Sequence, residues 1–192
     1  MKKLLLLTGD LATGKSTFAG MLSKRYQVPV YYKDTIKEVL GDTIGYTNRE
    51  ENLKLSHATV ALMTFLFQEA TKLGQDMILE ANFHTHELER LREIARENGY
   101  RVLTLVFRGK NEILHQRYLN RIQNENRHPV HIVNALDRFE DFVDYIEKAR
   151  AEEVPGRTIL VEADDFTYQK YIPLLAELDD FMVPTDEYIP TF

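Results

Sequence analysis

The chain has 192 residues, 44% of them hydrophobic and 28% charged, with a net charge of -6. These values predict a single globular domain large enough for a full core, and no apolar run is long enough to span a membrane. There are no cysteines, which excludes disulfides, thiolate zinc sites and a cysteine nucleophile and fits a reducing cytoplasm; the acidic balance disfavours a broad nucleic-acid-binding surface.

Residues 3–8 are short, continuous and apolar, and read as a buried strand. They run into Gly9-Asp10-Leu11-Ala12-Thr13-Gly14-Lys15-Ser16-Thr17, which contains G-x-x-x-x-G-K-S, a phosphate-binding loop (Walker A). A helix is expected over 15–26, a second strand over 28–32 and a short helix from Asp34 to about residue 40. Residues 41–47 read as a loop. A long helix is expected over 49–73, stopped by Gly74, with an apolar stripe through Leu55, Ala58, Leu62, Phe65 and Leu66, widened by Val60, Met63 and Phe67. Strands follow at 77–81, 101–107 and 158–162, and helices at 86–98, 111–123, 132–151 and 167–178. Pro173 is expected to kink the last helix or delay its start. Residues 179–192 read as an acidic tail.

Strands alternate with helices throughout. This predicts an α/β fold with a mainly parallel sheet covered on both faces. Ligands of such sheets bind beyond the carboxyl ends of the strands, so polar residues there are candidates: Asp10, Asp34, Glu80, Asn82, Arg108 and Asp164.

The loop has a direct physical reading. Its glycines let the backbone wrap phosphates, and the next helix points its first N–H groups at the anion. Lys15 would reach the outer phosphates, and Ser16 would hold the magnesium that bridges them. Asp34, just past the second strand, suits a general base that accepts a proton from an attacking hydroxyl; it also suits an N-cap for a helix starting at Thr35. Lys37, one turn on, suits a contact to a substrate anion or, more commonly, a solvated lysine. Glu80 closes an apolar strand, as an acid of the magnesium shell would.

Arg117 and Arg121 share a helix face, and Arg127 follows in a polar segment. Together they suit a lid over 111–131 that neutralises the transferred phosphoryl group and excludes water. The histidines are not spaced as a metal site. His57 reads as a polar contact near the cleft, and Tyr31, Tyr32 and Tyr46 as a cleft wall or core residues.

With these residues placed, the chain resembles a P-loop kinase of small substrates. The resemblance runs through residues 9–17, Lys33-Asp34, residues 78–83 and residues 117–131. It is closest to the AAA-domain or zeta-toxin-like ATP-binding group, which is similar to chloramphenicol phosphotransferase, gluconate kinase and the kinase domain of polynucleotide kinase. The resemblance implies a three-layer nucleoside-triphosphate-hydrolase fold with a five-stranded parallel sheet, ATP and magnesium. It also implies Asp34 as general base and Arg117, Arg121 and Arg127 as lid arginines, where Arg127-His128-Pro129-x-His131 resembles a pattern common in the group.

The leading expectation is transfer of the γ-phosphate of Mg-ATP to a hydroxyl or phosphate of a small-molecule acceptor. A polynucleotide 5′-hydroxyl or nucleotide-sugar kinase uses the same parts. A switch ATPase acting through a protein partner is the alternative from another class. The chain lacks N-K-x-D, L-S-G-G-Q and a G-x-G-x-x-G after its first strand, which disfavours a GTPase switch, a transporter ATPase and a dinucleotide oxidoreductase.

Overall fold

The protein is described by a computed structural model over residues 1–124, 127–131, 136–165 and 168–183. Five parallel strands form one sheet in the order β2-β3-β1-β4-β5: β1 (Lys3–Gly9), β2 (Val30–Tyr32), β3 (Met77–Glu80), β4 (Arg101–Arg108) and β5 (Thr158–Glu162). The helices are α1 (Lys15–Tyr26), α2 (Lys33–Ile44), α3 (Arg49–Leu73), α4 (Thr85–Glu97), α5 (Asn111–Asn124), α6 (Phe139–Arg150) and α7 (Tyr168–Met182), with a 3-10 turn at Pro129–His131. The chain lays β2 and β3 on one side of β1 and β4 and β5 on the other, which opens a crevice at the carboxyl end of the sheet.

The unbroken leucine run of β1 follows from burial on both faces. Leu5 and Leu7 enter a core with Phe18 and Leu22 of α1 and Leu175 and Leu178 of α7. Leu4 and Leu6 enter the opposite core, with Met63 and Phe67 of α3 and Leu88 and Leu91 of α4. A third, smaller core joins α5 to α6 through Leu114, Tyr118, Phe142 and Ile146, and the loop residues Leu11 and Ala12 pack on it.

Several expectations need correction. The buried stripe of α3 is Leu55, Thr59, Val60, Met63, Phe67 and Ala70, whereas Leu62 and Phe65 are exposed and Ala58 faces solvent. A helix this apolar offers two plausible stripes, and the sheet face selects one. α2 continues through Gly41 to Ile44, and Gly41 lies where Val130 packs: a Cβ there would come within 3.2 Å of Val130 Cγ2. β2 is shorter than expected, starting at Val30.

α6 begins at Phe139 after coil at 136–138, and the expected start at 132–135 lies outside the described residues. Asp179–Met182 is the last turn of α7, not tail: Asp179 Oδ2 accepts from Arg25 Nη2 at 2.6 Å and Oδ1 from Tyr26 Oη at 2.8 Å. Residues 184–192, expected as tail, and the expected helix start at 167 also lie outside the described residues. Pro173 sits inside α7, which begins before it. No helix among the described residues is long and apolar enough to cross a membrane.

Candidate nucleotide and acceptor site

A cavity of about 960 Å³ opens at the carboxyl end of the sheet. Its floor is the loop between β1 and α1. Gly9 has φ 118°, and a Cβ there would lie 2.1 Å from Phe107 O, so the close pairing of β1 with β4 requires glycine. Gly14, at φ 76°, turns the chain into α1 as its N-cap, and Ala12 is held at φ 58° against the third core. The first N–H groups of α1 therefore face the cavity without a side-chain cap, as an anion site needs.

Lys15 is buried and folds over its own loop, donating to Asp10 O (2.5 Å), Gly9 O (3.2 Å) and Thr13 Oγ1 (3.3 Å). Burial lowers its pKa, and the charges of Glu80, Asp34 and Asp10 oppose that shift. Ser16 Oγ donates to Glu80 Oε2 at 3.0 Å. Glu80 is buried too, and desolvation raises its pKa against the pull of Lys15. Strand register explains the meeting, since Glu80 pairs with Leu7 beside the start of the loop.

Thr17 and the loop residues from Gly9 to Gly14 all line the cavity. The side chain of Asp10, however, turns into the protein. Its carboxylate is 2% exposed, accepts from Arg150 Nη2 (2.7 Å) and Gly109 N (3.2 Å), and so ties the loop to the end of α6. Arg150 was not anticipated from sequence: nothing in a helix-terminal arginine announces a partner 140 residues away.

Asp34 lines the same cavity but does not cap α2. The helix begins at Lys33 with Tyr32 as N-cap, so Asp34 lies within the first turn, 63% exposed, with His131 Nδ1 4.0 Å from its Oδ1. An acid there is favoured by the helix dipole without being a cap. Lys37 is the reverse of the solvated lysine expected. It is 8% exposed, donates to Asn52 Oδ1 at 2.7 Å, and has its pKa lowered by burial and by Lys33.

The three arginines diverge. Arg121 lines the cavity, and its charge is felt at both Lys15 and Glu80. Arg127 also lines it, its guanidinium 5.6 Å from the centre of the Tyr118 ring. Arg117 lines the rim, but its guanidinium donates to the carbonyls of Ala163 (2.5 Å) and Asp164 (2.7 Å), fixing the segment after β5.

Residues 127–131 are docked on α2 and α3. His128 Nε2 meets Asp42 Oδ1 (3.0 Å), His131 Nε2 meets Glu38 Oε1 (2.9 Å), and Asn52 Nδ2 donates to Val130 O (2.9 Å). His57 is exposed at the cavity edge, and Asn82 bonds Tyr145 of α6 there. Among the described residues, no cluster of three or more histidine or acidic side chains forms a metal cage.

The AAA domain family model matches residues 4–144. No curated protein matches the chain. Among solved structures, a presumptive kinase from Chloroflexus aurantiacus is 23% identical with a TM-score of 0.76, over 95% of this chain and 99% of that one. A sugar kinase from Janibacter is 15% identical with a TM-score of 0.63, over 93% and 95%. A gluconokinase from Sinorhizobium meliloti is 12% identical with a TM-score of 0.60, over 96% and 98%. At these identities the likeness is one of fold, the three-layer P-loop kinase fold with its parallel sheet.

Proposed function

From the premise that this chain belongs to the AAA domain family, we propose that it is an ATP-dependent phosphotransferase moving the γ-phosphate of Mg-ATP to a small-molecule acceptor. The observation that carries this reading is the convergence on one cavity of Lys15, the Ser16–Glu80 pair and Asp34, which belong to three separate elements. The reading is supported further by the kinase names of proteins that share the fold.

Each residue has a role in the chemistry. The loop N–H groups cradle the phosphates, and Lys15 leaves its own carbonyls to meet the outer ones. Ser16 Oγ and the Glu80 carboxylate are the residues that would hold magnesium. Their donor set fits: a buried carboxylate whose negative charge desolvation disfavours, beside a hydroxyl, favours a bound cation, and magnesium needs few protein ligands when phosphates and water complete its shell. When bound, the ion would supply charge neutralisation between the phosphates. Asp34 accepts the proton of the attacking hydroxyl as the P–O bond to that oxygen forms and the bond to ADP breaks. Arg121 and Arg127 neutralise charge on the transferred group, while Arg117 acts by anchoring the segment after β5.

The test is ATP consumption with magnesium against a panel of sugars, sugar acids, nucleosides and a 5′-hydroxyl oligonucleotide. An acceptor-dependent rate is expected. A rate that no acceptor changes but a protein partner stimulates would instead support a switch ATPase.

A further inference from the structure

The acceptor end of the cavity carries three basic side chains. Lys33, Lys37 and Arg49 line it around Asp34. The other acids nearby meet other partners and none of them lines the cavity: Glu38 meets His131, Asp42 meets His128, Glu50 pairs with Lys54, and Glu51 accepts from the Thr47 backbone. Lys37 is the most telling of the three. The residue is buried, its one hydrogen bond among the described residues goes to Asn52 Oδ1, and the carboxylate whose charge acts on it is Asp34, without a direct ion pair. A lysine has three donors, and because Lys37 lines the cavity, the donors that Asn52 does not take are open to a group bound there.

Asn52 is itself pinned by Val130 O, so Lys37 is aimed by a fixed partner. Asp34 and Lys37 are three apart on α2 and therefore neighbours on one face, about 5 Å along the axis.

We propose that the acceptor is a small hydroxylated oxyanion, a carboxylate or a phosphate ester. Lys37 binds its negative group, assisted by Lys33 and Arg49, about one helical turn from the hydroxyl that faces Asp34. The inference rests on the kinase reading, in which Asp34 marks the reacting hydroxyl.

The test uses the protein loaded with magnesium and AMP-PNP, so that the loop is filled. Calorimetric titration with inorganic phosphate, malonate, glycerol and glucose then probes the acceptor end. At least one oxyanion is expected to bind, with both neutral probes binding about tenfold or more weakly. Lys37→Met is expected to weaken the oxyanion about tenfold or more, Lys37→Arg to retain it, and Arg49→Gln, at an exposed position, to weaken it without affecting folding. Binding of phosphate alone assigns a phosphate ester, and of malonate alone a carboxylate. Oxyanion binding that is absent, or unchanged in both Lys37→Met and Arg49→Gln, overturns the inference while leaving the kinase reading intact. Failure to bind AMP-PNP appears before any probe is added and removes both.

Discussion

At the scale of single residues, the site is a set of buried charges held just short of neutralisation. Lys15 and Glu80 are each pushed towards their neutral forms by burial and held charged by one another. Lys15→Ala is expected to lower ATP turnover about a hundredfold or more, measured under saturating acceptor. The Asp10–Arg150 pair poses a different problem, because Asp10 is sealed in the protein. Arg150→Ala strands that carboxylate and is expected to destabilise the protein by about 3 kcal/mol, read as a shift in the urea midpoint. Phosphate-loop residues and Glu80 were legible in the sequence because short-range spacing and strand position define them. Arg150, Asn52 and the burial of Lys37 were not, because they arise from contacts between distant elements that leave no local pattern.

At the scale of elements, the strands and the ends of the long helix were legible, and its face only in part: Leu55, Val60, Met63 and Phe67 are buried as expected, whereas Leu62 and Phe65 are exposed. α3 starts where Asn48 accepts from Glu51 N at 3.0 Å and stops at Gly74 with φ 61°, both written locally. Which stripe meets the sheet is a tertiary outcome. Phe67→Ala is therefore expected to cost about 3–5 kcal/mol, whereas Phe65→Ser should stay within about 0.5 kcal/mol; thermal melts of the two variants check the assignment.

α4 carries a pH-dependent anchor. Glu152, after α6, accepts from the Thr85 backbone and from His84 and Thr85 side chains, and these hold its pKa down to about 2. A carboxylate depressed in the folded state contributes stability that is full above its unfolded pKa and is lost as pH falls through the folded one. Wild type should thus lose stability between about pH 4.5 and 2 more steeply than Glu152→Gln, in denaturant midpoints taken across that range.

At the scale of the whole molecule, the sheet order places the loop after β1 and the start of α2 on one crevice, and the turn at Pro129–His131 closes on α2 and α3 rather than on the loop. The α/β class and parallel sheet follow from alternation alone, whereas the side of the crevice taken by residues 127–131 depends on His128 and His131 finding acids on α2.

In the proposed reaction Asp34 serves transfer and not nucleotide binding. The direct measurement compares Mg-ATP affinity and acceptor-dependent phosphoryl transfer in wild type and Asp34→Asn. Nucleotide affinity is expected to stay within about threefold of wild type and transfer to fall about a hundredfold or more. Undiminished transfer by Asp34→Asn would contradict that role.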